Sequence, residues 1–231
     1  MREVQTIPQQ VEFRIMAAAT RILIVDDHPL VREGLIGLLS AEPAFEVCGE
    51  AAGLAEARQI IKDKRPHVVI VDLTLRDGNG MELVKELRGG PRDIKVLVLS
   101  MHDEALFAER ALRAGAAGYV SKHEAARTII QAVHTVLSGK LCVSQRLTEQ
   151  MVNRAFSGKV DIRHSPIEYL SDRELQVFEL IGQGLTVRQI ATRLELSPKT
   201  VETHREHIKD KLELKNTTEL TRHAVQWVLE R

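Results

Sequence analysis

The stretch VDLTLRDGNGMEL, residues 71–83, places Asp72 directly after the apolar run VVIV of residues 68–71. A short apolar run that is followed by turn-forming residues is typical of a buried strand. Asp72 therefore stands at the end of a predicted strand. Three roles are open for it there: it could cap a helix, bind a metal ion, or be chemically modified.

Short apolar runs alternate with amphipathic helical patterns on both sides of this stretch. The predicted strands are residues 22–25, 45–49, 68–71, 96–99 and 118–120, and the predicted helices are residues 29–40, 53–64, 80–88, 103–114 and 124–137. Strands that alternate with helices form a parallel sheet covered on both faces. We therefore predict an α/β fold for this part of the chain, a flavodoxin-like doubly wound domain of five β/α units.

The composition is that of an ordinary globular protein, with 44% hydrophobic and 28% charged residues among 231 and a formal net charge of zero. This balance neither requires nor excludes a nucleic-acid partner, because only a local patch matters. The two cysteines lack metal-site spacing and indicate a reducing compartment. No apolar run approaches the roughly 20 residues that cross a bilayer. We expect a cytoplasmic protein without a membrane partner.

The character of the chain changes towards its C-terminus. Residues 1–19 carry no signal-peptide pattern and are interpreted as a mobile tail, and the doubly wound domain is expected over residues 20–139. Residues 140–166 are interpreted as a linker, with an amphipathic helix over residues 141–156 and a polar hinge. Residues 167–231 are predicted to be all-α. Their first helix begins with the capping box SDRE of residues 171–174, and the others are expected at residues 186–194, 198–212 and 217–230.

Polar residues follow four of the predicted strands. Asp26 and Asp27 follow the first strand, Asp72 the third, Ser100 the fourth and Lys122 the fifth. The carboxyl ends of parallel strands meet at one edge of the sheet, so these groups should lie close together. Three neighbouring carboxylates repel unless a cation is present, and oxygen ligands suit Mg²⁺. The added hydroxyl and ammonium match an incoming phosphoryl group, so the pocket fits an aspartyl phosphate better than a bare Mg²⁺ site.

The segments LIVDDHPLVREGL, VDLTLRDGNGMEL, VLVLSMHDE and GAAGYVSK resemble the receiver domain of two-component response regulators. The resemblance covers about residues 20–139 and implies that Asp72 accepts a phosphoryl group that Lys122 contacts. It implies that Ser100 and Tyr119 form a switch pair. It also implies a set of Mg²⁺ ligands: Asp26 through water, Asp27 and Asp72 directly, and the backbone carbonyl of Thr74.

Two positions depart from the usual receiver pattern. Arg76 stands four residues after the predicted acceptor, where receivers often have proline, and it could pair with the acidic pocket or point to solvent. His123 follows Lys122, where many receivers have a cis-proline. A cis bond before a residue other than proline costs about 2.5–4 kcal/mol, so the resemblance does not fix the geometry of this bond.

The C-terminal part contains a helix-turn-helix pattern with its break at Glu195-Leu196-Ser197. The motifs LSDRE, GLTVRQIA, TVETH and KLEL resemble the four-helix LuxR-type DNA-binding domain. The helix after the break is predicted to expose the candidate DNA contacts Lys199, Thr200, Glu202, Thr203, Arg205, Glu206 and Lys209.

Acidic and imidazole side chains on the same helix leave alternatives open. Glu202 and Glu206 could either select bases or repel phosphates. His204 and His207 lie three residues apart, but no further ligand cluster accompanies them in the sequence. We therefore interpret His204 as a packing residue or a phosphate contact rather than as a zinc ligand.

The complete chain resembles a NarL/FixJ-family response regulator. The resemblance implies a sensor histidine kinase as partner, double-stranded DNA as target, and a homodimer when active. We expect a regulator rather than an enzyme, with at most self-dephosphorylation. Two other functions remain open from the residues: a DNA binder that does not depend on phosphorylation, and an adaptor whose helical tail binds protein.

Overall fold

A computed structural model describes residues 19–90, 93–101, 104–156 and 166–229 of the chain. The predicted N-terminal tail, residues 1–19, lies outside these residues except for Ala19, and most of the predicted hinge lies outside them as well. No helix within the described ranges is both long enough and apolar enough to cross a membrane.

A parallel five-stranded sheet with the order β2-β1-β3-β6-β7 forms the centre of the N-terminal domain. The strands of the chain are β1 (Thr20–Val25), β2 (Phe45–Ala51), β3 (Val68–Val71), β4 (Thr74–Leu75), β5 (Gly78–Asn79), β6 (Lys95–Ser100) and β7 (Gly118–Ser121). The strand order reverses between β1 and β3, and ligands of doubly wound sheets bind at such a switch point. The predicted fold class is confirmed.

Helices cover both faces of this sheet. They are α1 (Pro29–Ser40), α2 (Leu54–Lys64), α3 (Gly80–Leu87), α4 (Glu104–Ala114) and α5 (Ala125–Leu137). Successive strand side chains point to opposite faces, so Leu23 and Val25 belong to one apolar core while Ile22 and Ile24 belong to the other. All four residues of β3 are buried, as expected for a strand that is covered on both sides.

The segment after Asp72 turns sharply into α3. β4 and β5 form a two-stranded antiparallel hairpin there, which the sequence pattern did not predict. The side chain of Asn79 then caps α3 by accepting a hydrogen bond of 2.8 Å from the Met81 N–H. A Cβ atom at Gly80 would overlap the carbonyl oxygen of Asp72. Glycine therefore allows the start of α3 to lie directly against the end of β3.

The linker begins as part of the sheet. The Cys142 N–H donates to the Ala117 carbonyl at 3.0 Å, and the Cys142 carbonyl accepts from the Tyr119 N–H at 2.7 Å. The helix that we predicted over residues 141–156 therefore starts later, as α6 (Gln145–Phe156), because the preceding backbone is extended along β7. Leu147 of α6 is 4% exposed and belongs to the same apolar core as Leu23.

The C-terminal domain is helical throughout its described residues. A 3₁₀ turn (Pro166–Tyr169) precedes α7 (Asp172–Gly182), α8 (Val187–Arg193), α9 (Pro198–Lys211) and α10 (Thr217–Leu229). The capping box of Ser171 and Glu174 is present as predicted. A small core with fully buried Phe178, Ile190 and Val201 holds the four helices together. The predicted all-α character is confirmed.

Candidate functional site

A cluster of carboxylates lies beyond the carboxyl ends of β1 and β3. Asp26, Asp27 and Asp72 are 1%, 7% and 3% exposed. One oxygen from each of these carboxylates and a ring nitrogen of His28 all lie within 4.8 Å of one another. The sheet produces this arrangement, since the Asp72 N–H donates to the Val25 carbonyl at 2.8 Å and thereby aligns the ends of the two strands.

The ammonium of Lys122 lies between two of these carboxylates. Its Nζ is 2.7 Å from Asp72 Oδ2, to which it donates a hydrogen bond, and 2.7 Å from Asp26 Oδ2. Burial disfavours the charged form of Lys122, but Asp72 and Asp26 outweigh it and raise the pKa of this ammonium. Lys122 therefore stays charged and offsets part of the negative charge of the cluster.

Two of the carboxylates, Asp27 and Asp72, resist ionisation because they are buried. Burial raises the pKa of Asp72 to about 6, against the opposing effect of Lys122. Burial also raises the pKa of Asp27, although His28 Nδ1 lies 2.7 Å from its Oδ1. Buried carboxylates that repel one another in this way are stabilised by a hard divalent cation, and the oxygen donors fit Mg²⁺.

The predicted switch residues lie on β6, which is next to β3, and on β7 at the edge of the sheet. Ser100 is fully buried at the end of β6, and Tyr119 on β7 is 2% exposed. Their hydroxyl groups are hydrogen-bonded to each other, and burial raises the pKa of Tyr119 far above its usual value. The peptide bond between Lys122 and His123 is trans. Ser100 and Tyr119 are therefore directly linked in this structure, with the tyrosine ring packed inside the domain.

The acidic cluster opens into a cavity of about 290 Å³ between the two domains. The N-terminal domain lines it with His28, Asp72, Thr74, Met101 and Lys122, and the C-terminal domain with Glu179, Leu180, Gln183, Arg193 and Leu194. Gln176 of α7 is fully buried and donates a hydrogen bond of 3.4 Å to the Thr74 hydroxyl. Helix α7 therefore covers the pocket of Asp72.

Arg110 on α4 holds the start of α7 against the N-terminal domain. Its guanidinium donates to the carbonyls of Leu170 at 2.8 Å and Ile167 at 3.0 Å, and to the carboxylate of Asp172 at 3.3 Å. Lys85 on α3 donates to the same carboxylate at 3.1 Å, but its side chain is 60% exposed. The partly buried guanidinium is therefore the stronger of the two anchors.

Arg76 stands between the acidic cluster and the C-terminal domain. Its Nε lies 3.9 Å from Asp27 Oδ2 and 3.5 Å from Glu195 Oε1, and its side chain is 63% exposed. Both alternatives that the sequence left open thus hold in part: Arg76 pairs with the pocket and also faces solvent. Because Glu195 lies in the turn between α8 and α9, the pair extends the interface to the helix-turn-helix.

The candidate DNA contacts lie on α9, but they are not equally exposed. Lys199, Glu202, Thr203 and Glu206 are exposed, whereas Thr200, Arg205 and Lys209 are partly buried. The prediction that α9 exposes all seven side chains was therefore too broad.

Two of the partly buried side chains on α9 also form ion pairs within the helix. Arg205 Nη1 lies 3.0 Å from Glu202 Oε1 and Lys209 Nζ lies 2.8 Å from Glu206 Oε2, and the two cationic side chains are 13% and 16% exposed. The two glutamates thus neutralise cations of their own helix in this conformation.

Comparison with known proteins agrees with this architecture. Residues 22–134 match the family of response regulator receiver domains, and residues 168–224 match the luxR family of bacterial regulatory proteins. The response regulator GacA of Pseudomonas protegens is 35% identical over 206 residues, which cover 89% of this chain and 95% of that protein. The oxygen regulatory protein NreC of Staphylococcus epidermidis is 36% identical over 211 residues, covering 89% and 97%.

Solved structures share the fold. A two-component response regulator of the LuxR family from Aurantimonas sp. has a TM-score of 0.55 and 33% identity, and the match covers 60% of this chain and 99% of that one. RcsB of Salmonella typhimurium has a TM-score of 0.61 and 24% identity, and the match covers 90% of this chain and 98% of that one.

A receiver domain with an acidic pocket, followed by a LuxR-type helix-turn-helix domain, defines a DNA-binding response regulator of two-component systems. The chain belongs to the NarL/FixJ family of these regulators. Below, the N-terminal domain is called the receiver domain and the C-terminal domain the DNA-binding domain.

Sequence reasoning missed the residues that join the domains. Arg110, Gln176 and Glu179 lie in no motif, Asp172 lies in one that indicates only the start of a helix, and Arg110 and Asp172 are 62 residues apart in the chain. Gln176 and Glu179 are buried beside the apolar face of α7, and buried polar groups require polar partners. Their burial could not be read from the sequence, since it depends on the other domain.

Proposed function

We propose that the protein is a phosphorylation-controlled transcription regulator in which Asp72 accepts a phosphoryl group from a sensor histidine kinase. One observation carries the proposal: the Asp72 carboxylate ends a central strand, lies 2.7 Å from the Lys122 ammonium, and faces the cavity between the domains. In the transfer, an Asp72 oxygen attacks phosphorus as the phosphorus–nitrogen bond to the kinase histidine breaks and the imidazole leaves. We place the protein with its DNA target in the cytoplasm.

The proposed Mg²⁺ ligands are Asp27 and Asp72 directly, Asp26 through water, and the Thr74 carbonyl. Bound there, Mg²⁺ supplies charge neutralisation at the transferring phosphoryl group. The residues of the chain do the rest. Lys122 holds the Asp72 carboxylate in place before the reaction and moves its hydrogen bond to a phosphoryl oxygen afterwards.

The switch would begin at the hydrogen bond between Ser100 and Tyr119. A hydroxyl has one proton to donate, so a Ser100 that donates to a phosphoryl oxygen can no longer donate to Tyr119. The buried tyrosine then changes its partner, and the surface around α4, β7 and α5 changes with it. The phosphoryl group thus biases a two-state equilibrium of the receiver domain.

The closed arrangement of the two domains couples this equilibrium to the position of the DNA-binding domain. A phosphoryl group adds roughly 1.5–2 negative charges at pH 7 to a cavity that Glu179 of the DNA-binding domain also lines. This like-charge repulsion disfavours the position of α7 over Asp72. The phosphorylated receiver therefore releases the DNA-binding domain.

Release matters because the receiver contacts the helix-turn-helix close to the DNA-reading end of α9. Arg76 contacts Glu195, and α9 begins only three residues later at Pro198. The N-terminal residues of a recognition helix contact base edges, so a receiver in this position competes with the duplex. Once released, two copies form the active homodimer, with recognition helices on half-sites about one DNA turn apart.

On this proposal, α9 enters the major groove with Lys199, Thr200, Glu202, Thr203, Arg205, Glu206 and Lys209 as its contact set. Arg205 and Lys209 reach the DNA only if they leave Glu202 and Glu206, so binding exchanges intrahelical ion pairs for phosphate or base contacts. The glutamates then become free to accept from cytosine.

Labelling with a small phosphodonor and Mg²⁺ tests the acceptor. We expect wild type to be labelled and Asp72→Ala to remain unlabelled, with the exposed Asp93→Ala as a matched control that is labelled like wild type. Equal labelling of wild type and Asp72→Ala would remove the proposal. Equal DNA affinity with and without phosphodonor would instead favour a regulator that does not depend on phosphorylation.

A further inference from the structure

A second group of metal-binding side chains lies in the DNA-binding domain. Glu174 in the first turn of α7 meets His204 and His207 of α9, and one ligand atom from each lies within 4.8 Å of the others. The sequence suggested no partner for the two histidines. The fold supplies one, because α7 and α9 pack against each other and bring Glu174 to the histidine pair.

The two oxygens of Glu174 have separate surroundings. Oε2 accepts hydrogen bonds from the Ser171 N–H at 2.7 Å and from Lys211 Nζ at 2.6 Å. Oε1 lies 3.7 Å from His207 Nδ1, which is too long for a hydrogen bond. The capping box and Lys211 thus hold the carboxylate in a fixed orientation and leave Oε1 facing the imidazoles.

His204 presents a nitrogen that the fold does not use. Its Nδ1 is buried, and it has no hydrogen-bond partner among the described residues. Burial and the nearby Arg173 lower the pKa of His204, which favours the neutral form of imidazole that binds metal ions. A buried polar atom without a partner is costly unless something binds it.

His207 completes the group from the solvent side. It lies three residues after His204 on α9, so both rings are on the same face of the helix, and its side chain is 56% exposed. A ligand can therefore enter from solvent past His207. Two cations, Arg173 and Lys211, also face the group, and Lys211 is already paired with Glu174 Oε2.

We propose that Glu174, His204 and His207 bind a transition-metal ion of the zinc type. Two imidazoles and one carboxylate with an open fourth position form a set that zinc accepts, and imidazole donors favour such ions over Mg²⁺. Tetrahedral zinc with bonds of about 2.0–2.1 Å needs donor atoms about 3.4 Å apart. The separation of 3.7 Å between Glu174 Oε1 and His207 Nδ1 is already close to this value.

A metal ion at this site would fasten the recognition helix to the first turn of α7. Glu174 is two residues from Asp172, which Arg110 of the receiver holds. The ion would therefore stabilise the helix-turn-helix next to the residue at which the two domains separate. Because the ligand atoms come together only in the folded domain, metal binding and folding stability are coupled.

Calorimetric titration of the full chain with ZnCl₂ in excess Mg²⁺ tests the site. His207→Asn is the variant of choice, because the side chain is exposed, asparagine has a similar helix propensity, and the capping box remains intact. We expect wild type and His223→Asn, an exposed histidine on α10, to share one binding step that His207→Asn weakens at least about tenfold. A smaller effect of His207→Asn overturns the proposal.

Cobalt absorption gives a second readout that does not depend on the variant. Co²⁺ added to the wild-type chain in excess Mg²⁺ should give the strong visible bands of four-coordinate cobalt with imidazole ligands, and Zn²⁺ should remove them. Wild-type protein without these bands overturns the proposal, even if His207→Asn is unstable.

Discussion

The guanidinium of Arg110, on receiver helix α4, lies 3.3 Å from the carboxylate of Asp172, the first residue of α7 in the DNA-binding domain. The same guanidinium donates to two backbone carbonyls that precede α7. One receiver side chain therefore holds the entry to the DNA-binding domain, on a helix whose surface the proposed switch changes.

Arg110→Met should open the unphosphorylated protein. The change removes three hydrogen bonds across the interface, and charged hydrogen bonds of this kind contribute on the order of 1–3 kcal/mol. Small-angle X-ray scattering should give a larger radius of gyration without phosphodonor. Lys85→Met is the matched control, because its exposed pair with Asp172 contributes about 0–1 kcal/mol. If both variants stay as compact as wild type, Arg110 is not the anchor.

Glu179→Gln should weaken the response to phosphorylation. Glu179 is 6% exposed and lines the cavity of Asp72, so its negative charge contributes to the repulsion that follows phosphoryl transfer. Glutamine keeps the shape and removes the charge. Scattering with and without phosphodonor should show a smaller expansion than in wild type at equal labelling. An expansion equal to that of wild type would assign the release to another contact.

In the metal-free protein, the Asp72 carboxyl should lower the stability as the pH rises from about 4 to 6. Burial raises the pKa of Asp72 to about 6 from an ordinary value of 3.8. In this window the folded state therefore binds more protons than the unfolded state. As a result, the free energy of unfolding falls as the pH rises. The contribution of Asp72 is about 3 kcal/mol, and it is complete above pH 6.

Asp72→Asn isolates this contribution. The free energy of unfolding is measured with urea in a chelating buffer at several pH values. The values for wild type and Asp72→Asn should diverge as the pH rises through the window, and the variant should be the more stable protein at pH 7. Parallel curves for the two proteins would contradict the raised pKa.

Lys122→Met should make folding dependent on a divalent cation. Without its ammonium, buried Asp26 and Asp72 lose a partner at 2.7 Å, and the loss of one partner of a buried pair costs roughly 3–5 kcal/mol. Thermal unfolding should show a lower Tm without Mg²⁺ and a larger rise on Mg²⁺ addition than in wild type. Lys95→Met, whose partner Asp93 is exposed, should change neither quantity. If Mg²⁺ raises the Tm of Lys122→Met and of wild type equally, the ion does not compensate for the missing Lys122 ammonium.

Glu202→Gln should strengthen binding to random-sequence DNA. Glu202 holds Arg205 at 3.0 Å, so its neutralisation frees one cation of the recognition helix for phosphate. The slope of log affinity against log salt concentration should become steeper by about 0.9. Fluorescence anisotropy of a labelled duplex over a salt series measures it, with exposed Glu149→Gln as control. An unchanged slope would mean that Arg205 stays on α9.

The sequence was sufficient for features that depend on nearby residues. The alternation of apolar runs and helices predicts the doubly wound sheet, because side-chain periodicity reports the local backbone conformation. Ser171 with Glu174 predicts the start of α7, because the capping box closes within four residues. The neighbourhood of Asp26, Asp27 and Asp72 follows as well, since parallel strands align their carboxyl ends.

Features that depend on long side chains or on the other domain could not be predicted. Arg205 lies back along α9 against Glu202, although the helical pattern alone places it on an exposed face. The contact of Arg76 with both Asp27 and Glu195 requires the relative position of two domains, which local patterns do not encode. The hairpin of β4 and β5 has two residues per strand and is too short to give a periodic signal.

The backbone of Cys142 is hydrogen-bonded to the sheet on either side of Gly118, through one N–H and one carbonyl, and its side chain packs against the apolar core. The hydrogen bond from the Cys142 N–H excludes proline at this position, since proline has no N–H to donate. The start of the linker is therefore fixed by backbone hydrogen bonds to β7, the strand that carries the switch tyrosine.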